Sequence, residues 1–286
     1  MTRLPTSSYL DHGKNHGLQP FQIQARNLVD NRNRSPDTGT EGFLGDFLRP
    51  IWTNVPDTKI VWGDGPKQNP RAQEKINEGG GDPNSLTDLW RATIFVTTEV
   101  NLLSIYQAIK DKTVGGAGMH QKEGTTYCKS AKLRGVRNDG AGSNSDTMCS
   151  HPDFTDDASG YSGGNIVLIL KNNQPAEVQI NTRNMMYGKH GSIEGVNGGA
   201  IKTQYKVTGG LGHIFYEMIR APVKNQTEVI ELSKKYYKHL RNPNPAKSSH
   251  DAKGGPKTTA QELEDKIQKF IKDDRNANWF LDLKKA

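Results

Sequence analysis

The chain is short of cysteine, of long apolar runs and of blocks of like charge, and each shortage closes off a class of protein. Its two cysteines, Cys128 and Cys149, have twenty residues between them in a Gly/Asn/Ser-rich stretch, with His120 and His151 nearby. A structural zinc site wants tight C-x-x-C pairs, so two free thiols in a reducing compartment are expected. No stretch approaches the roughly eighteen consecutive apolar residues of a membrane span, and the opening MTRLPTSSYL lacks the apolar centre of a signal peptide. A cytoplasmic site of action with no membrane partner is expected, whether the chain acts where it is made or is delivered into a target cell without a cleavable signal. There is no run of one charge of the kind found in nucleic-acid-binding tails. A G-x-x-x-x-G-K-[ST] phosphate loop is absent as well.

What the chain does have is glycine, thirty in 286 residues, beside a hydrophobic content of only 33% and a formal net charge of +7 from 38 basic and 31 acidic residues. Low apolar content implies that part of the length does not pack, and glycine-rich polar tracts imply long loops carried on a scaffold. The basic excess favours partners that bear phosphate, such as nucleotides or RNA. The simplest organisation is one core with decorated ends. A polar N-terminal accessory region over 1–50 includes a short amphipathic helix at Phe21–Val29. A core follows over 51–241, then a Pro/Lys/Ser/Gly linker over 242–258 and a charged amphipathic helix in 259–286.

Within the core, Thr58–Trp62 reads as a short strand, and Pro70 opens a helix through Ile76. Asp88 stands at the entrance of a second strand, Ala92–Thr97, which a helix over Glu99–Lys112 follows; strand then helix points to a sheet covered by helices. From Thr113 to Gly160 no period is evident, although Lys129, Lys132, Arg134 and Arg137 cluster at its centre. Strands over Asn165–Leu170 and Ala176–Thr182 are joined by Lys171-Asn172-Asn173-Gln174 as a hairpin turn, and helices follow at Gly210–Ile219 and Thr227–Leu240. A peripheral helix is expected at Thr259–Ile271.

The chemistry centres on the segment EVQINT. Strand alternation puts Glu177, Gln179 and Asn181 on one face, a polar row that suits a ligand surface or, more blandly, a solvated strand face. A second carboxylate, Asp88, also stands beside a strand, and two carboxylates from adjacent strands can hold a Mg²⁺ ion that bridges phosphate oxygens. In GPKQNPRAQEK, Lys67 precedes the expected helix while Arg71 and Lys75 share a face at i and i+4, a cationic surface able to grip a triphosphate. Gly160-Tyr161-Ser162-Gly163-Gly164 joins a flexible backbone to one aromatic ring that can stack on a nucleobase. His213 and Glu217 lie at i and i+4 in GHIFYE, which suits a surface hydrogen-bonded pair or, more sharply, a phosphate contact.

Taken in order, GPK-x3-Arg71-x3-Lys75, Asp88 before a strand, GYSGGN, EVQINT and LGHIFYE resemble the synthetase domain of the RelA/SpoT family, the alarmone synthetases, over roughly residues 58–220. The resemblance implies an α+β, nucleotidyltransferase-like fold with a mixed β-sheet of about five strands flanked by helices. It implies transfer of the β,γ-pyrophosphate of ATP to the 3′-hydroxyl of a nucleotide, with Mg²⁺ as cofactor held by Asp88 and Glu177. Glu177 would also help activate the acceptor hydroxyl. Lys67, Arg71, Lys75 and Arg91 would contact ATP; Tyr161 would stack on the acceptor base, with Asn165, Gln179, Asn181 and His213 around it.

Three departures fall on this pattern. The usual D-x-x-[GA]-x-R reads Asp88-Leu-Trp-Arg91-Ala-Thr93, the GYxSxH motif ends in Asn165, and Asn181 stands where arginine is usual in EVQI-R-T. They bear on the acceptor side, so guanine nucleotide, adenine nucleotide and the 3′ end of tRNA all remain as acceptors. A small basic chain is similar to the toxin branch of the family, for which a neutralising antitoxin or immunity protein is an expected partner. His250-Asp251 lies in the linker with no Glu-Asp after it, so no alarmone hydrolase is expected. The alternatives are a catalytically inactive nucleotide- or RNA-binding module of the same fold and, ranked lower, an ADP-ribosyltransferase-type toxin.

Overall fold

A computed structural model describes residues 42–62, 76–77, 80, 87–88, 91–113, 125–137, 148–171, 175–220, 226–242 and 259–273. Six strands form one mixed sheet in the order β1-β2-β6-β5-β3-β4: β1 Lys59–Trp62, β2 Arg91–Val96, β3 Tyr127–Gly135, β4 Phe154–Asp156, β5 Gly163–Ile169 and β6 Pro175–Thr182. The helices are α1 Gly42–Trp52, α2 Glu99–Lys112, α3 Arg183–His190, α4 Gly198–Tyr205, α5 Leu211–Arg220, α6 Gln226–Arg241 and α7 Thr259–Lys272. This is the α+β class expected from the sequence, with six strands among the described residues where about five were expected.

The chain divides into two compact units that interleave along the sequence. One comprises Met1–Thr97, Asn101–Lys132 and Gly164–Ile180; the other comprises Thr98–Val100, Leu133–Gly163 and Asn181–Ala286.

In the first unit, β5 and β6 pair antiparallel with Ile166 opposite Val178 and Leu168 opposite Ala176, so the apolar residues of both strands fall on one face. Those four residues, with Ile180, and Ala92, Ile94 and Val96 of β2, are completely buried. Each Val, Ile or Leu so buried contributes about 1.5–3 kcal/mol. The helix α2 adds Leu102, Ile105, Tyr106 and Ile109, all fully buried. It lies so close that a Cβ on Gly164 would come within 3.1 Å of the Tyr106 ring. The helix α1 presents Leu44, Phe47, Leu48 and Ile51 at i, i+3, i+4 and i+7, and all four are buried. The Lys112 ammonium donates to the Phe47 carbonyl at 2.9 Å, and burial lowers its pKa from the ordinary lysine value.

The second unit holds α3 to α7 together with β4 and the end of β3. Thr182 closes β6 and caps α3, its Oγ1 accepting from the Met185 N–H at 3.4 Å. Behind α3, helices α5 and α6 bury Phe215, Tyr236 and Tyr237, and the Tyr236 hydroxyl donates to the Thr208 carbonyl at 2.7 Å. The helix α7 buries Leu263, Ile267 and Phe270, and Glu264 accepts from the Thr208 N–H at 2.9 Å and its hydroxyl at 2.7 Å.

The stretch 113–160, expected to lack regular structure, contains β3 and β4, which run parallel with Leu133 opposite Phe154. Toward this side of the sheet β3 buries only Leu133 and Gly135, so its sequence carries no hydrophobic alternation to betray it. The basic residues there are engaged structurally: Arg134 pairs with Asp157 and Arg137 with Asp156, each at 3.3 Å. Helices α1, α3 and α4 were not anticipated. The hairpin residues 172–174, the helix expected at Phe21–Val29 and most of that from Pro70 lie outside the described residues.

Candidate active site

The β6 strand carries the candidate site along its half-exposed alternate positions. Glu177 and Gln179 are half-buried, while Val178 and Ile180 between them point into the core. The Gln179 amide donates to one oxygen of the Glu177 carboxylate at 2.5 Å, which orients the carboxylate along the strand. On β5, Asn165 sits directly opposite Gln179 and Val167 opposite Glu177, so Asn165 joins the same polar face.

On the other flank, β2 is the hydrogen-bonded neighbour of β6. Its first residue, Arg91, is half-buried, and Arg91 Nε is buried without a hydrogen-bond partner. Asp88, three residues before that strand, is only 5% exposed. Asp88 thus precedes β2, and Glu177 lies on β6, the strand that β2 pairs with; Mg²⁺ takes one or two protein carboxylates and completes its shell with water and substrate phosphates. Among the described residues there is no cluster of three or more His, Cys, Asp or Glu side chains able to enclose a metal ion.

In the second unit, the Gly160–Gly163 turn is clamped rather than free. The Ser159 carbonyl accepts from the Ser233 hydroxyl at 2.7 Å, the Gly160 carbonyl accepts from Arg241, and the Ser162 hydroxyl donates to Glu99 at 2.9 Å. Gly160 has φ +83°, and a Cβ there would meet the Lys234 backbone at 2.8 Å, so only glycine fits. Tyr161, held by this turn, donates its hydroxyl to Asn181 Oδ1. A Cβ on Gly163 would lie 2.5 Å from that Asn181 oxygen and 2.9 Å from the Tyr161 hydroxyl, so the bare glycine makes room for the pair.

Asn181 is 1% exposed, and its Nδ2 has no hydrogen-bond partner. Its side chain thus supports Tyr161 from beneath. The Tyr161 ring packs edge-on against Tyr237 at 5.5 Å and lies under the Lys189 ammonium at 5.6 Å. Burial, with Tyr161 and Asp157 adding to it, pushes the Tyr237 phenol well above the ordinary tyrosine value, so Tyr237 is a neutral packing wall at any physiological pH. His213 is exposed on α5 and faces His190 with ring centroids 6.0 Å apart.

Asp88, Arg91, Asn165, Glu177 and Gln179 thus fall in the first unit, and Tyr161, Asn181 and His213 in the second. Lys67, Arg71 and Lys75 lie outside the described residues. Sequence reasoning missed Glu99, Ser233, Lys189, Arg241 and Tyr237. None has a motif of its own, and each acquires its part only by packing against the Tyr161 turn.

Among solved structures, the chain matches the Type VI effector Tas1, crystallised with its immunity protein, with a TM-score of 0.54 and 21% identity over 77% of this chain and 96% of that one. The chain folds like Tas1. Other matched structures are the small alarmone synthetase 2 from Bacillus subtilis, with a TM-score of 0.38 and 12% identity over 89% of this chain and 100% of that one, and a GTP pyrophosphokinase family protein from Streptococcus pneumoniae, with a TM-score of 0.36 and 12% identity over 92% and 94%. No family model and no curated protein sequence matches the chain. At 21% identity the likeness to Tas1 is one of fold. Among the described residues, no helix is long and apolar enough to cross a membrane.

Proposed function

We propose that the chain is a Mg²⁺-dependent pyrophosphokinase that moves the β,γ-pyrophosphate of ATP onto the 3′-hydroxyl of a nucleotide or of a tRNA 3′ end, and that it acts as a growth-inhibiting toxin or effector. The observation that carries this reading is the polar face of β6, where Glu177 is held by Gln179 beside Asn165, with β2 as the neighbouring strand in the sheet. The likeness of fold to the effector Tas1 supports the reading. In the reaction, the acceptor 3′-oxygen bonds to the β-phosphorus. The bond from that phosphorus to the α,β-bridging oxygen breaks, and AMP leaves with the oxygen. Glu177, oriented by Gln179, takes the hydroxyl proton. Arg91, with Lys67, Arg71 and Lys75, binds the triphosphate, and Tyr161 stacks on the acceptor base with Asn181 fixing its hydroxyl. Asp88 and Glu177 would hold Mg²⁺, whose chemistry is to neutralise charge on the phosphates.

Incubating the protein with γ-labelled ATP and pooled nucleotides or tRNA tests the proposal: labelled acceptor and AMP should appear together. Glu177→Ala should lower the rate by about 10²–10⁴-fold, as expected for loss of a positioned base. Neither labelled acceptor nor AMP from the wild type would sink it. A binding-only module of the same fold is the second reading, favoured by Asn181, which is buried against Tyr161 where the family pattern has arginine. Under that reading the cellular effect survives Glu177→Ala. As Tas1 is solved with an immunity protein, a neutralising partner for this chain belongs to the proposal too. The site of action in it is the cytoplasm, of a target cell if the chain is exported.

A further inference from the structure

We infer that the exposed face of α5, continued by the end of α3, is a binding track for a single-stranded polynucleotide leading away from Tyr161. Three residues of α5 are exposed, and they are His213, Tyr216 and Arg220, at i, i+3 and i+7 on one side of the helix. An ordinary solvated helix face carries Lys, Glu or Gln; here Tyr216 leaves 40% of its surface in water, and a large exposed ring is the informative kind of exception.

The side chains form a ladder. His190 and His213 rings lie 6.0 Å apart and tilted by 32°, His213 and Tyr216 lie 6.5 Å apart and within 19° of parallel, and the Arg220 guanidinium sits 5.3 Å over the Tyr216 ring. One residue before His190, Lys189 reaches over Tyr161. A row of flat rings with a cation at either end, Lys189 and Arg220, suits a strand of unpaired bases, because every base offers a π-face for stacking while cations neutralise phosphates. A duplex hides those faces. A ten-residue helix is about 15 Å long, room for about four stacked nucleotides at about 3.4 Å each. Glu217 is the acidic residue of this helix, and it is half-buried, so the exposed stripe itself carries no acid. The inference rests on the pyrophosphate-transfer reading only in setting Tyr161 at the acceptor end, where the 3′ nucleotide of the strand would lie.

The test is fluorescence anisotropy of the full chain with fluorescein-labelled oligoadenylates of about eight nucleotides, a length within the usual single-strand site size, as RNA and as DNA. No ATP is added, so binding is read apart from transfer. Wild type should bind single strands, with affinity falling as salt rises, and a duplex should compete poorly. Tyr216→Ala and Arg220→Ala should each weaken binding about tenfold while Tyr216→Phe retains it, with circular dichroism confirming that the variants are folded. Preference for the RNA arm would support a track that reads the 2′-hydroxyl, and equal binding would support one for any single strand. Absent binding, or alanine variants that bind as wild type does, would overturn the inference, as would variants that lose a neutralising protein and keep the oligonucleotide. Oligonucleotide binding without any pyrophosphate transfer would remove the enzyme reading and leave this one standing. Transfer to mononucleotides without oligonucleotide binding would do the reverse.

Discussion

Tyr161→Phe isolates the contact on which the aromatic platform rests. The substitution removes one hydroxyl from a half-buried ring, and with it the partner of Asn181 Oδ1. Asn181 is 1% exposed and its Nδ2 already lacks a partner, so the variant leaves a whole buried amide unsatisfied. A buried polar group deprived of its partner costs about 1–3 kcal/mol. With a urea m-value of about 2 kcal/mol/M, a cost near the middle of that range lowers the unfolding midpoint by roughly 1 M at unchanged m. Removing the polar group as well should recover part of the loss, because replacing both partners of a buried hydrogen bond by apolar groups is close to neutral. Tyr161→Phe/Asn181→Leu is therefore expected to be more stable than Tyr161→Phe alone, with a coupling of about 1–2 kcal/mol in the double-mutant cycle. Urea unfolding followed by circular dichroism measures all four proteins. A Tyr161→Phe midpoint within the roughly 0.5 kcal/mol scatter of surface substitutions, or a double variant weaker than the single, would refute the reasoning.

Two further predictions concern the same unit. Glu99→Ala and Ser162→Ala each break the 2.9 Å hydrogen bond that ties the Tyr161 turn to the start of α2; each should cost about 1–3 kcal/mol in urea unfolding, and the double variant no more than the worse single one. Tyr236 and Tyr237 are held well above the ordinary tyrosine pKa, first of all by burial. The fold prefers the neutral phenol, so each contributes stability that is complete below the unfolded value near pH 10 and is lost as pH climbs toward the folded value, at about 1.4 kcal/mol per pH unit per group. Tyr237→Phe should flatten that alkaline loss in unfolding midpoints measured from pH 8 to 11, and an unchanged slope would contradict the assignment.

Much of the scaffold was legible because its signals are local. The β5–β6 pair announces itself by a continuous apolar run in β5 and alternation in β6 on either side of a polar turn, and α2 begins and ends at the residues its pattern suggests, Glu99 and Lys112. The α1 stripe of Leu44, Phe47, Leu48 and Ile51 was equally readable by its spacing and was passed over amid polar neighbours. β3 was not legible, because it buries only Leu133 and Gly135 and so needs no hydrophobic period. In the candidate site, the shared face of Glu177 and Gln179 follows from the pleat alone. The clamp on Tyr161 does not, since Glu99, Arg241 and Ser233 come from 63, 81 and 74 residues away from their partners.

By itself, then, the sequence determined the β6 strand and its polar row, because side-chain alternation is a property of one extended segment. The class of fold followed from the resemblance of its ordered motifs to a known synthetase domain, which a sequence carries in its residues. Only the tertiary structure decided that Asn181 turns from the row to a buried post beneath Tyr161, and that His190 and Arg220 complete an exposed ladder with His213 and Tyr216. Those assignments depend on which distant side chains occupy the space around a residue, and close packing, unlike strand alternation, has no period along the chain.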